Sequence, residues 1–238
     1  VSMEFQSPLI RAKLIRRYKR FLSDVLLPDA REVTAHCANP GSMMGLLDDG
    51  TLAWVEPNDD PKKKLKFAWR IAELTTGALV LVDTAQANRI VKEALGNNAI
   101  SEFANLDFRP EVKYGEGSRI DFLLTDQSGQ QTFVEVKSVT LSRATGHAEF
   151  PDSVTARGTK HLQELSKVVE QGHRAVMFYL VNRTDCDVVS IAADIDPTYA
   201  AALGAAQRVG VEVIAYRADI TPNRITLGPR VAFRSADR

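Results

Sequence analysis

The chain has 238 residues, 45% of them hydrophobic and 25% charged, which suits a soluble globular protein of one large domain or two smaller ones. Its 30 basic and 30 acidic residues cancel to a formal net charge of zero, so a global polycation is excluded and any nucleic-acid contact must come from local patches. No apolar run approaches the length of a membrane span, and the N-terminal stretch has no signal-peptide h-region. Cys37 and Cys186 fit neither a zinc spacing nor a disulfide framework, so a reducing, cytoplasmic compartment is expected.

In chain order, residues 1–83 read as β-rich. Leu9–Val25, LIRAKLIRRYKRFLSDV, has mixed periodicity and fits either two successive strands or one amphipathic helix. Between Phe5 and Ser23 lie Arg11, Lys13, Arg16, Arg17, Lys19 and Arg20 with no acid, and Tyr18 and Phe21 are interleaved. Such a strip can neutralise phosphates while aromatics stack on unpaired bases, or it can be a solvated face over core aromatics. VTAHC, TLAWVEP, FAWRIAEL and ALVLVDT follow as short strands separated by the Pro-Gly turn ANPGSM and the polar NDDPKKK, a pattern expected of a small barrel. His36 and Cys37, adjacent on a strand, point opposite ways and do not make a nucleophile–base couple. In Lys62–Arg70, KKKLKFAWR, the lysines suit phosphate and the aromatics suit the core.

From residue 84 the pattern becomes α/β. Gln86–Leu95 and Thr155–Gln171 read as helices, Ala175–Val181 as a buried strand, DPTYAAALGAAQRVG as a helix ending at Gly210, and Val211–Tyr216 as a final strand. The expected order from residue 86 is α-β-β-β-α-β-α-β.

The stretch Arg119–Val139, RIDFLLTDQSGQQTFVEVKSV, holds the chemistry. Asp126–Gln131 is a polar, Gly-containing hairpin connection. Alternation puts Asp121 on one strand and Glu135 with Lys137 on the other, inside otherwise apolar segments. Buried together, these groups require partners. The partners are either one another, as a lysine bridging two acids, or a divalent cation and a phosphate. Magnesium favours oxygen ligands of this kind, and the lysine would orient a water or offset developing charge.

An Asp followed by Glu-x-Lys on adjacent strands of a hairpin resembles the restriction-endonuclease-like, or PD-(D/E)xK, nuclease superfamily, with Ile120 where Pro often precedes the Asp. That resemblance implies metal ligation by Asp121 and Glu135, a further acid on the preceding helix, where Glu93 falls, and nucleic-acid contacts from Arg157, Lys160, His161 and Gln163 on the following helix. The blocks MEFQSPL, RRYKRFLSDV, HCANPGSM, ANRIVKEAL, VKYGEGSRIDFLL, VEVKSVTL, FPDSVTARGTKHLQEL and GVEVIAY together resemble the sugar fermentation stimulation protein A family. This implies an N-terminal OB-fold-like barrel (residues 1–83), a C-terminal nuclease-like α/β domain (residues 84–238), DNA binding without strong sequence preference, and a proposed regulatory link to sugar metabolism. The expected function is DNA binding with a Mg (or Mn)-dependent phosphodiesterase site of Asp121, Glu135 and Lys137, joined by Arg16, Arg17, Tyr18, Lys19 and Arg20 from the barrel. Neither a membrane partner nor a small-molecule cofactor is expected. The rivals are a non-catalytic DNA-binding regulator of sugar metabolism that retains the nuclease fold, and a nuclease for RNA or a nucleotide-sized substrate.

Overall fold

The computed structural model describes residues 3–235. The elements are β1 (Met3–Glu4), β2 (Ile10–Tyr18), β3 (Leu22–Leu26), β4 (Glu32–Cys37), β5 (Leu52–Pro57), β6 (Phe67–Glu73), β7 (Leu79–Leu81), α1 (Gln86–Gly96), β8 (Asp107–Tyr114), β9 (Ser118–Thr125), β10 (Gln131–Val139), β11 (Leu141–Ala144), β12 (His147–Phe150), α2 (Ala156–Glu170), β13 (Arg174–Val181), β14 (Val188–Ile191), α3 (Pro197–Val209), β15 (Glu212–Ile220), β16 (Arg224–Arg230) and β17 (Ala232–Arg234).

Leu9–Val25 resolves into two strands. Lys19 and Arg20 take left-handed backbone, φ 47° and 63°, which reverses the chain and pairs Tyr18 with Leu22. Strands β2 to β6 then form a sheet ordered β4-β3-β2-β5-β6, and a parallel β4–β6 pairing closes it into a barrel. Ala12, Val25, Ala35, Val55 and the fully buried Trp69 fill it. Trp69 is core, as its position in FAWRIAEL suggested, and its Nε1 donates to the Ile71 carbonyl at 2.9 Å.

The second unit is a seven-stranded sheet ordered β1-β16-β15-β13-β10-β9-β8, whose centre β10-β13-β15 is parallel. Both faces of β13 are covered, so its sequence RAVMFYLV is continuously apolar. Phe178 and Val176 pack with Ile90 and Val91 of α1 on one face, while Met177 and Tyr179 pack with Leu162 and Leu165 of α2 and Tyr199 of α3 on the other. The expected helices and central strands are present. Six strands escaped the reading: the two-residue β1, β16, and the short β11, β12, β14 and β17, of which the last four form a separate sheet ordered β11-β12-β14-β17.

The two units are stitched together. Met3–Glu4 precedes the barrel in sequence but pairs with β16 of the second sheet. At the other crossing, the Leu81 N–H donates to the Asn182 carbonyl and the Thr184 N–H to that of Leu79.

Candidate phosphodiesterase cleft

The β9–β10 ladder runs from Gln131↔Thr125 to Val134↔Phe122. The next opposed positions are Asp121 and Glu135, and there the strands part. In place of a ladder bond, Asp121 Oδ2 accepts the Val136 N–H at 2.7 Å, while its Oδ1 accepts from Asn88 Nδ2 of α1 at 2.7 Å. Strand β10 stays paired with β13 as far as Val139, so the fork leaves Glu135 and Lys137 facing a cleft.

Glu135 is 3% exposed. Its Oε1 accepts from Lys137 Nζ at 2.8 Å and lies 2.5 Å from His161 Nδ1 of α2. Arg157 Nε is 3.4 Å from His161 Nε2. Lys137 Nζ also lies 3.1 Å from His161 Nδ1, so Arg157 and Lys137, which can only donate, flank the two ring nitrogens from opposite sides. Glu135 Oε2 is buried and has no hydrogen-bond partner.

These surroundings drive the two carboxyls apart. Burial, then the charge of Glu135, pushes Asp121 up from 3.8 to about 6. Burial would raise Glu135 too, but the His161 hydrogen bond and the Lys137 charge outweigh it and hold this carboxyl below its ordinary range. The partly buried Tyr114 hydroxyl is pushed far up by burial and by the nearby Glu135, Glu164 and Asp121.

The cleft has a volume of about 990 Å³ and lies between the two units. The barrel contributes Arg17, Arg20 and the loop Asn39–Ser42; the second unit contributes the fork, Arg157, His161 and the loop after β12. Arg17 organises its wall by donating to the carbonyls of Asn39 (2.8 Å), Gly41 (2.9 Å) and Arg20 (2.9 Å). Asn39 holds the same turn, its Oδ1 accepting the Gly41 N–H and its Nδ2 donating to the Val82 carbonyl. The walls meet at Asp152, which accepts from the Met43 N–H through Oδ2 at 2.9 Å and from Ser42 Oγ through its carbonyl at 2.6 Å. A Cβ on Gly41 would lie 2.5 Å from the Asp152 carboxylate oxygens, so a larger residue there would push this carboxylate away from the Met43 N–H.

The fold therefore gathers Asp121, Glu135, Lys137, Arg157, His161, Arg17 and Arg20 around one cleft. The expected placement of Glu93 needs correction. It does not line the cleft; its carboxyl is raised chiefly by burial and lies near Arg89 and Glu4. The α1 side chain that reaches Asp121 is Asn88, on the first turn, because only the N-terminal end of α1 abuts the fork. Other expected contacts lie elsewhere. Tyr18 donates its hydroxyl to Asp24, and the Arg16 guanidinium pairs with Asp24 and covers the Tyr18 ring at 4.7 Å. Lys19 is exposed at the hairpin turn and does not line the cleft. Lys160 donates to the Glu116 carbonyl and so turns away. Asn88, the latch from Asp152 to the barrel and the structural use of Arg17 were not foreseen. A first-turn Asn opening a helix at the domain junction was a faint local sign; the Gly41–Asp152 approach had none.

Two carboxylates line this cleft, one of them with an unpartnered buried oxygen, and oxygen donors of this kind suit a hard divalent cation. Among the described residues no group of three or more His, Cys, Asp and Glu side chains is placed to hold a metal ion. Magnesium at this site would complete its shell with water, backbone or substrate oxygens.

Residues 15–82 match the family model for the SfsA N-terminal OB domain, and residues 85–224 match that for the sugar fermentation stimulation protein RE domain. A sugar fermentation stimulation protein homolog of Ruegeria sp. (strain TM1040) is 60% identical over 95% of this chain and 98% of its own. One of Roseobacter denitrificans is 56% identical over 98% of this chain and all of its own. The solved Pyrococcus furiosus SfsA in complex with Ca2+ is 24% identical and superposes with a TM-score of 0.88 over 98% of this chain and 99% of that one, so the fold is shared end to end. An OB barrel joined to a restriction-endonuclease-like domain, with relatives aligned over nearly its whole length, this chain belongs to the sugar fermentation stimulation protein family.

Proposed function

We propose that the protein binds DNA with little sequence preference and that the cleft is a Mg-dependent phosphodiesterase site. The observation that carries this is Glu135 Oε2, a buried carboxylate oxygen without a partner beside a second carboxylate at a strand fork. Asp121 and Glu135 would hold the cation. When bound, it would polarise the phosphate and lower the pKa of a ligated water. The chain supplies the rest. His161 Nδ1 contacts Glu135 Oε1 and fixes its orientation, and Arg157 and Lys137 hold the imidazole ring from either side. Asn88 and the Val136 N–H fix Asp121. Lys137 presents an ammonium to the cleft and offsets negative charge that grows on the phosphate. Arg17 and Arg20 extend positive charge along the barrel wall toward the DNA backbone.

The rival, a DNA-binding regulator without catalysis, draws on one feature. Lys137 and His161 both engage Glu135 Oε1, so the cluster is partly neutralised from within. The deciding experiment incubates the protein and Glu135→Gln with labelled single- and double-stranded DNA in Mg2+, Mn2+, Ca2+ or chelator. Metal-dependent cleavage confined to the unsubstituted protein supports the site. Binding without cleavage under every metal favours the regulator.

A further inference from the structure

We infer that the cleft takes an unpaired strand of nucleic acid, with bases stacked at the Phe21–His36 corner of the barrel and the backbone directed to Asp121 and Glu135. The inference rests on reading the cleft as a nucleic-acid site, though not on cleavage. Three observations carry it.

The first is size. A cleft of about 990 Å³ is at the upper end of pockets that enclose a drug-sized ligand, a volume that a short length of one strand can occupy. Its two walls are tied together at Asp152, which closes one side.

The second is exposed apolar surface. Phe21, Met44 and Val154 are 42%, 44% and 75% exposed. Val154 lines the cleft, Phe21 directly follows the lining residue Arg20, and Met44 lies two residues beyond the lining residue Ser42. Phe21 also stacks on His36, ring centroids 6.5 Å apart. A duplex presents phosphates and hides the faces of its bases, whereas an unpaired strand offers every base face for stacking. Tyr18, the other aromatic of the strip, is already covered by Arg16.

The third is charge. Arg17, Arg20, Arg157 and Lys137 line this cleft. Of its other acids, Glu149 is paired with Arg143, and Asp152 accepts the Met43 N–H. The barrel wall thus offers a strand the cations Arg17 and Arg20 and no acid, while the fork side sets Lys137 and Arg157 against Asp121, Glu135, Glu149 and Asp152.

The test is fluorescence anisotropy of the full chain in chelator, with labelled oligothymidylate, oligouridylate and a blunt hairpin duplex. One of the two unpaired strands should bind at least about tenfold more tightly than the duplex, and the ratio between the strands identifies the sugar preferred. Phe21→Ala should weaken strand binding about tenfold, and Phe21→Trp should restore it. Thermal melts of both variants guard against misfolding, and the exposure of Phe21 makes both substitutions tolerable. Duplex binding as tight as strand binding, or equal loss on strand and duplex in Phe21→Ala, would overturn the inference. The cleavage assay with Glu135→Gln is scored separately. Cleavage without strand preference removes this inference and leaves the phosphodiesterase; strand preference without cleavage does the reverse.

Discussion

Among the described residues two buried clusters each set two acids around one cation, and they are finished differently. In the barrel, Arg70 donates to Glu56 at 2.7 Å and also to Asp83. The remaining oxygens are taken: Glu56 Oε1 accepts the Gln6 N–H at 2.7 Å, and Asp83 Oδ1 accepts that of Ala85 at 3.1 Å. At the fork, Lys137 and His161 crowd onto one oxygen of Glu135 and leave the other bare. A buried charge with every lone pair used tells of structure. One that lines a cleft and keeps an unpartnered oxygen leaves a place for a ligand.

That contrast can be broken by removing the cation of the closed cluster. Arg70→Ala strands two buried carboxylates and should cost about 3–5 kcal/mol of stability, read as a lowered urea midpoint with unchanged slope. A loss below about 1 kcal/mol would mean that the barrel cluster is no more structural than the fork. The open cluster should answer the opposite way. Glu135→Gln should lower metal-dependent cleavage roughly a thousandfold, matching the several kcal/mol a bound metal contributes to the transition state, while the melting temperature stays within a few degrees. Equal rates for the two proteins would remove Glu135 from the site.

How far each cluster was legible follows from how local it is. Asp121, Glu135 and Lys137 belong to one hairpin, and strand alternation places them together from sequence alone. Helix α2 was legible from its apolar stripe and α3 from its stop at Gly210, whereas the caps supplied by Thr155 and Asp196, whose side chains accept the Gly158 and Tyr199 N–H groups, emerged only in the fold. Leu9–Val25 stayed ambiguous because its outcome depended on Lys19 and Arg20 accepting left-handed backbone, which pairing with β5 and β4 imposes. Glu93 was misplaced because helical periodicity indicates a face but not which end of the helix meets the fork. The latch of Ser42 and Met43 on Asp152 joins residues more than 100 positions apart, and no local pattern encodes it. The strands β11, β12, β14 and β17 span four residues or fewer, too short for alternation to register.

A smaller effect sharpens the contrast through pH. Asp121 titrates at about 6 in the fold against 3.8 ordinarily. Without metal the folded state therefore binds more protons than the unfolded chain across this window, and Asp121 makes stability fall as pH rises through it. A bound cation requires the ionised form and reverses that slope. Magnesium at ~100 times its dissociation constant should stabilise by about 2.7 kcal/mol, a rise of roughly 5–10 °C in melting temperature at about pH 7.5. The gain should shrink toward zero at about pH 5, and Arg70 variants that still fold should keep it. A magnesium shift independent of pH would place the ion away from Asp121.

The smallest effect concerns Asn88, which separates positioning from ligation. Its amide holds Asp121 Oδ1 at 2.7 Å, and together with the Val136 N–H it aims both carboxylate oxygens. Groups that orient a metal ligand typically govern affinity by about 10–100-fold when removed. Asn88→Ala should thus raise the magnesium concentration for half-maximal cleavage by about that factor, while the rate at saturating metal changes little. Its loss also removes a donor that favours the ionised form of Asp121, so the acid limb of the pH profile should move to higher pH. A purely structural Asn88 would lower the melting temperature and leave that limb in place. Asn88→Asp supplies the control, since it trades the donor for a third negative charge: the acid limb should move further up, and the metal requirement should not be restored to that of the unsubstituted protein.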